Sequence, residues 1–330
     1  MTAVRPPVRR GVALGAAVLV VGLALQLAGP LGLGRLPVLA ALVAPRSAVT
    51  AGMAVLGLLL LLLGLRRQAR PRVVPAGVAL IVGAVAGLLI GLGRGTTVEA
   101  AGPHTAGTVR ILSWNTNGDL VPPQAVARLA AQEHADVIVL PEIAPAENGQ
   151  DWIPAFAAAG LPVTAVPSIG TSSVATEVLV SRRLAPYRDG GGWPDAPGTA
   201  AVARRTDRRL PVVVALHAAQ PSLSGNGLWN AELDEVTAAC ESPEVVVVGD
   251  LNGTLDDFGG PRIGHCQDAA ALRGAAALGT WPTAAPPLLA MPIDHVLIGS
   301  RWRVRSFSVL TSEDGSGARH RPILAVLSRN

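Results

Sequence analysis

Three long apolar runs open the chain, and short ones recur through the rest. Gly11–Leu33 is a 23-residue stretch without a charge. Ala48–Leu65 is also uncharged and holds an unbroken leucine block from Leu58 to Leu63, and Val73–Leu92 is followed by Arg94. A helix needs roughly 18–25 apolar residues to cross about 30 Å of hydrocarbon, and a soluble core helix of that length keeps a polar face. The runs predict three membrane spans, at about residues 11–33, 47–65 and 73–93. Pro30 and Pro45 bracket the first connection, as suits a turn between spans. A cleaved signal peptide is the rival reading for the first run alone; its length and the lack of a clean A-x-A site speak against it.

Beyond a Gly/Thr/Ala-rich linker the period shortens. Val109–Asn115 reads as a strand, Pro122–His134 as a helix with Pro in its first turn, and Asp136–Ile143 as a buried strand, a compact β-α-β unit. Thr176–Arg183, Leu210–Ala218, Glu244–Asn252, Ile293–Gly299 and His320–Leu327 fit further strands, and Leu228–Cys240 fits a helix. The predicted organisation is a transmembrane anchor over 1–94, a linker over 95–108 and an α/β domain over 109–330, long enough to bury a core.

Composition changes this picture in one respect. With 50 % hydrophobic residues and two cysteines, disorder, collagen and a disulfide-dense miniature are excluded. The net charge of +4 hints at a binder of nucleic acid or of a membrane surface. It is a composite: residues 1–98 hold ten arginines and no acid, whereas residues 99–330 hold seventeen arginines against 23 acids. The front is therefore +10 and the remainder −6. Arg5, Arg9 and Arg10 precede the first span, and Arg66, Arg67, Arg70 and Arg72 lie between the second and third; Arg35, Arg46 and Arg94 lie at the other ends. Seven against three predicts a cytoplasmic N-terminus and an external α/β domain. No acid falls within the spans to suggest a transport path, so a plain anchor is preferred over a transporter or receptor unit.

Polar residues gather at the ends of the predicted strands, where α/β sheets place ligand sites: Asn115 and Asn117, Glu142, His217, Asp250 and Asn252, Asp294, and His320. In order along the chain, S-W-N-T-N-G (Ser113–Gly118), L-P-E-I (Leu140–Ile143), L-H-A-A-Q-P (Leu216–Pro221), G-D-L-N (Gly249–Asn252), T-W-P (Thr280–Pro282), I-D-H-V-L (Ile293–Leu297) and R-H-R-P-I (Arg319–Ile323) resemble the endonuclease/exonuclease/phosphatase family. G-D-x-N alone is weak; the ordered set is specific. The resemblance implies a DNase I-like four-layer α/β sandwich and divalent-metal-dependent hydrolysis of a phosphate ester.

Such chemistry needs charge neutralisation, an aligned water and a stabilised leaving oxygen. The resemblance implies Glu142 as a ligand of Mg²⁺ or Mn²⁺ with Asn117 beside it, since both ions favour oxygen donors. Asp250 would align and deprotonate the water, and Asn252 and Asn115 would bond the water or the phosphate. His320 would contact the phosphate or help the leaving group, with Asp294 fixing its ring, and His217 would add a second donor. Bland readings exist for each: turn shaping for the asparagines, caps for the acids, a structural role for His217. His295 should point to the opposite strand face from Asp294 and is read as structural. Trp281 is read as core or pocket wall. His104, His134 and His265 belong to no constellation, and no spacing resembles a zinc motif.

Two departures matter. The family carries Ser-Asp-His before its last strand where this chain reads Ala318-Arg319-His320, and it often carries an acid near Asn117. Asp314 is the nearest acid that could replace the missing one. The leading expectation is an external, membrane-anchored hydrolase of phosphate esters, without a covalent intermediate because no Ser/His or Cys/His pair is evident. The alternative is a catalytically impaired phosphate-binding module on the same anchor. Nucleic acid, a phospholipid head group and a small phosphoester all remain open as substrates, and no protein partner is expected. Cys240 and Cys266 both fall in the domain placed outside, where a disulfide is permitted.

Overall fold

A computed structural model of the chain describes residues 6–66, 68–100, 102, 105–118, 120–143, 152–166, 175–184, 186–189 and 199–330. Three of its helices are long and apolar enough to cross a membrane: α1 (Pro6–Gln26), α3 (Arg46–Leu63) and α4 (Arg70–Arg94). They pack through small residues, which let their backbones approach closely. Gly57 and Gly77 face each other so closely that a Cβ on either would lie 3.1 Å from the other's carbonyl oxygen. Leu58, Leu59 and Leu62 point outward from the bundle.

The first span differs from its sequence expectation. Its helix ends at Gln26 rather than Leu33, and a short helix, α2 (Pro37–Val43), fills part of the connection. The reason is a docking contact. Gly29 and Gly34 lie against Asp256 of the α/β domain, where a Cβ would come within 2.5 Å of Asp256 atoms. Pro30 also removes a donor that a continuing helix would need. Arg9, Arg10, Arg66, Arg70 and Arg72 sit at one end of the bundle, while Arg35, Arg46 and Arg94 sit at the other. Arg5 and Arg67 lie outside the described residues.

From β1 onward the chain forms two facing sheets. One orders β12 (Trp302–Val309), β13 (Ile323–Arg329), β1 (Thr108–Ser113), β2 (Val137–Ile143), β4 (Ala175–Ser181) and β3 (Val163–Val166). The other orders β5 (Tyr187–Asp189), β6 (Thr199–Arg205), β7 (Val212–His217), β8 (Val245–Asp250), β11 (Asp294–Ile298), β10 (Cys266–Asp268) and β9 (Arg262–Ile263). Their inner faces share one core, including Ile111, Val139, Val246, Val296 and Phe307. Outside the first sheet, α5 (Pro123–Gln132) and α6 (Trp152–Ala158) cover a second core around Trp114 and Leu140. Outside the second, α7 (Gly227–Ala239) covers a third around Trp229 and Leu233, which also takes in Ala40 of α2. Four layers result, in the DNase I-like arrangement. The β1–α5–β2 unit is parallel, as its sequence pattern predicts.

The last strand starts later than expected. His320 lies in the turn before it, because Pro322 offers no N–H to a ladder. Arg321 is turned into the protein, where its guanidinium donates to the carbonyls of Gly279, Thr283 and Ala285 and pairs with Asp314 at 2.7 and 2.8 Å. Cys240 and Cys266 form a disulfide across a Cα–Cα distance of 5.2 Å, tying the end of α7 to β10.

Residues 95–100 run along the domain surface. Thr97 N–H donates to Gly274 O at 2.8 Å, and Glu99 holds Arg273 at 2.6 Å. At the junction, Asp256 is buried between two arginines from the bundle, Arg46 at 2.5 Å and Arg94 at 2.8 Å. Arg35 pairs with Asp234 and donates to Asp257 O at 2.8 Å. Removing one partner of a buried ion pair costs about 3–5 kcal/mol, since it strands the other charge. Asp256→Ala is therefore expected to lower the thermal unfolding midpoint of the full chain in detergent; an unchanged midpoint would show that this contact carries no stability.

Candidate functional site

Strand register assembles half of the site. His217 is the parallel partner of Asp250 on β8, and Asp294 is the antiparallel partner of the same residue. The three stand in one row across β7, β8 and β11, so their side chains share a face. Gly249 makes the close packing possible. Its φ is +142°, and a Cβ there would lie 2.0 Å from the Leu216 carbonyl oxygen. The facing sheet supplies the other half. β1 ends before Asn115, and β2 carries Glu142 in a bulge, at φ +56°, where the register with β4 slips between Leu140 and Ile143. A bulge re-aims a side chain, and here it turns Glu142 toward Asn115.

Asp250 is the centre. Its Oδ1 accepts the Asn252 backbone N–H at 2.8 Å, and its Oδ2 accepts Asn115 Nδ2 at 2.9 Å. His320 Nε2 lies 3.7 Å and His217 Nε2 3.8 Å from that same Oδ2. Asn115 Nδ2 also reaches Glu142 Oε2 at 2.9 Å, which stands 3.9 Å from His217. Asp294 holds His320 Nδ1 at 2.9 Å, and Trp114 Nε1 fixes the His320 carbonyl at 3.0 Å. Trp281 forms a wall, its ring centroid 6.4 Å from that of His320.

The electrostatics follow from burial. Asp250 has its pKa raised, first by loss of solvent and then by the Asp294 charge, against the opposing pull of His320, His217 and the Asn252 N–H. Burial alone would lower the His320 pKa. Asp294, by charge and hydrogen bond, together with Asp250 and Glu142 outweighs this and lifts it to about 9. The ring is therefore cationic at neutral pH and lies 3.7 Å from the Asp250 carboxylate.

All eight residues singled out from the sequence can be located. Asn115, Glu142, His217, Asp250, Asp294 and His320 converge. Asn252 contributes its backbone N–H, while its side-chain Nδ2 is committed to the Ala218 carbonyl at 2.8 Å and braces two loops. Asn117, at φ +53°, donates its backbone N–H to Asn115 Oδ1 at 2.8 Å; among the described residues its side chain makes no hydrogen bond. His295 does point away from Asp294, bridging Asp268 and the Gly253 carbonyl at 2.9 Å each. Arg319 is exposed, and its carbonyl accepts the Thr283 N–H at 2.9 Å. Asp314 does not replace the missing acid, because it is taken by Arg321. His265 pairs with Glu241 away from the site, and His104 lies outside the described residues. Thr280 stood in a quoted motif without a role, and its hydroxyl accepts the Asp294 N–H at 3.3 Å. Sequence reasoning passed over Trp229, whose indole fixes the Leu251 carbonyl at 3.1 Å, because no motif marks that bond.

The donors suit a hard divalent ion. Asp250, Asp294 and His320 can each bring one ligand atom within 4.8 Å of the others. Asp294 and His320 already bond to each other, however. Glu142 keeps a quarter of its side chain exposed beside buried Asp250. Glu142 and Asp250 present carboxylate oxygens to one space, each 2.9 Å from Asn115 Nδ2, and carboxylate oxygen is the donor that Mg²⁺ or Mn²⁺ favours.

The profile of the Endonuclease/Exonuclease/phosphatase family matches residues 112–319. Among solved structures, a humanized D. rerio TDP2 with 14 mutations superposes with a TM-score of 0.53 at 15 % identity, covering 68 % of this chain and 100 % of that one. An endonuclease/exonuclease/phosphatase family protein from Bacteroides thetaiotaomicron gives 0.52 at 13 %, covering 69 % and 100 %. D. rerio TDP2 complexed with a single strand DNA product gives 0.52 at 15 %, covering 67 % and 99 %. These likenesses show the fold. No curated protein matches the chain.

A ligand at 100 times its Kd stabilises the fold it binds by about 2.7 kcal/mol. Mg²⁺ or Mn²⁺ is expected to raise the thermal midpoint of the full chain, and Glu142→Gln to abolish most of that rise. A wild-type midpoint indifferent to both ions would show that the cluster holds neither.

Proposed function

The chain belongs to the endonuclease/exonuclease/phosphatase family, and from that premise we propose that it is a membrane-anchored, divalent-metal-dependent phosphodiesterase using direct attack by water. One observation carries the reading: the Asp250 carboxylate is oriented at both oxygens and raised in pKa, with a cationic His320 3.7 Å away. Asp250 takes one proton from the attacking water as the new oxygen–phosphorus bond forms. His320 hands its Nε2 proton to the leaving oxygen as the old bond breaks. The products are a phosphomonoester and an alcohol, and proton return from Asp250 to His320 resets the pair. Asp294 keeps the ring oriented, and Asn115 holds Asp250 and Glu142 together. His217 offers a second donor to the phosphate. A bound Mg²⁺ or Mn²⁺, held by Glu142 with Asn117 beside it, supplies neutralisation of the phosphate charge.

We assign residues 1–94 to the anchor, 95–108 to the connection and 109–330 to the catalytic domain. The seven-to-three arginine split supports a cytoplasmic N-terminus and an external domain. The three minority arginines carry little weight against it, because Arg35, Arg46 and Arg94 all meet acids of the domain. Protease added outside intact cells should digest a C-terminal tag and spare an N-terminal one; the reverse pattern overturns the orientation. Arg319, standing where the family pattern has Asp, favours a second reading, a phosphate-binding module without turnover.

A general acid or base contributes about 10²–10⁴-fold. Hydrolysis of bis(p-nitrophenyl) phosphate is expected to fall by about that factor in Asp250→Asn and in His320→Gln, and to stop in EDTA. Wild-type rates persisting through all three would overturn the mechanism. Phosphate binding without any wild-type turnover would select the binding module.

A further inference from the structure

The catalytic end of the sandwich is the end that meets the helix bundle. The loop after Asp250 carries Asp256, which lies between Arg46 and Arg94. The segment leading to Asp294 starts by donating from Ala276 and Ala277 to the carbonyls of Arg94 and Gly95, at 3.1 and 3.0 Å. Site and bundle are thus neighbours, joined by two loops.

A groove of about 570 Å³ opens at this junction, in the range of small-molecule pockets, about 300–1,000 Å³. Its walls are α3 and α4, through residues such as Thr50, Ala54, Val85, Leu88 and Gly91, and its lip is Ala277, Leu288 and Leu289 of the α/β domain. Leu288 and Leu289 are exposed there, at 52 % and 41 %. Two large apolar side chains on a loop tip, set beside two apolar helices, are placed for contact with hydrocarbon rather than water.

The same loop forms the wall of the catalytic pocket. Residues 277–292 fold back on themselves: Gly279 N–H donates to Pro287 O at 2.8 Å, and Trp281 N–H to Met291 O at 3.0 Å. At one end of this fold stand Ala277, Leu288 and Leu289 in the groove. At the other stands Trp281 against His320, with Asp294 following directly. Thr283 of this segment also holds the carbonyl of exposed Arg319, next to His320 in the chain. The apolar slot and the phosphate-ester site are therefore lined by the same folded segment, Leu288 and Leu289 at the one and Trp281 at the other.

We propose that the groove takes an acyl chain of a membrane phospholipid whose phosphodiester head group enters the catalytic site, so that lipid is the substrate. This rests on the hydrolase reading above and on the helices spanning a bilayer. The chain would lie between α3 and α4 beneath Leu288 and Leu289, and the head group would rise past Trp281 to Asp250 and His320. A soluble phosphodiester would use the site alone and leave the groove empty.

The test uses the full chain in nanodiscs of phosphatidylcholine and phosphatidylglycerol, doped with the same lipids bearing a photoactivatable diazirine in one acyl chain. Three readouts are taken: the labelled peptides, release of the lipid head group, and hydrolysis of bis(p-nitrophenyl) phosphate. Gly91→Phe is the probe, because a Cβ at Gly91 meets nothing within 4 Å and the ring would fill the groove without disturbing packing. Leu289→Glu is the second variant, acting at the lip. Expected are labels on α4 and on the peptide with Leu288–Leu289, and in both variants a fall in labelling and lipid hydrolysis of about tenfold or more. Soluble-ester hydrolysis stays unchanged in both, which also reports that they fold. Unchanged labelling and lipid hydrolysis in the variants would overturn the proposal. So would wild-type enzyme that labels in the groove and cleaves the soluble ester but not the lipid. A wild type that cleaves neither ester defeats the hydrolase reading instead, while the labelling pattern still decides occupancy of the groove.

Discussion

Two carboxylates placed directly opposite each other on adjacent strands set the terms for this molecule. Asp250 and Asp294 are register partners, both nearly inaccessible, and like charges so placed oppose pairing. Burial alone would drive such a pair to share a proton. The surrounding residues read as answers to that problem. His320 bonds one acid and faces the other, His217 takes the next place in the row, and Asn115 reaches across from the second sheet to join Asp250 to Glu142. The same packing raises both pKa values: loss of solvent and then the Asp294 charge lift Asp250, while Asp294, Asp250 and Glu142 lift His320.

The backbone strain of the described residues is concentrated where these groups are aimed. Of the four non-glycine residues at positive φ, three are Asn117, Glu142 and Asn252. A non-glycine residue in the left-handed region costs of order 1–3 kcal/mol and persists where its surroundings over-determine it. Asn115 and Asp250 supply that surrounding in the same way, each accepting with a side-chain oxygen the N–H two residues on. Asparagine tolerates the left-handed region through such local bonds; Glu142 has no such excuse and is held by its bulge and by Gly118 donating to its carbonyl at 2.6 Å.

Much of this was legible in the sequence because the strands carrying the site are continuous apolar runs ending in polar residues. β8 is four valines before Gly249-Asp250, and no other element suits that pattern in a buried sheet. The ordered motifs then named six residues that converge. Strands of another kind went unread. β12 alternates Trp302, Arg303, Val304, Arg305 and then buries two serines within Ser306–Val309, so a search for apolar runs passes over it. β6 is alanine- and arginine-rich and looks like neither strand nor helix. Asp256 was invisible because its partners come from another part of the chain: in sequence it is one acid in a loop, and Arg46 and Arg94 are flanking charges of apolar runs.

That junction gives the charge split a second meaning. The +10 of the front and the −6 of the remainder are partly one contact, since Arg35, Arg46 and Arg94 each meet an acid of the domain. A buried ion pair is weak evidence for net stability, because taking both charges out of water offsets most of their attraction. What two arginines around one aspartate do supply is direction. Asp256 has few alternative partners once desolvated, and it sits six positions after Asp250 on the loop that Trp229 and His295 pin at Leu251 and Gly253. The catalytic end is thereby fixed against the helix ends rather than left to swing from a tether. A site held in that position faces the mouth of the bundle, so the junction, more than the acidity of the domain, sets what lies beside it.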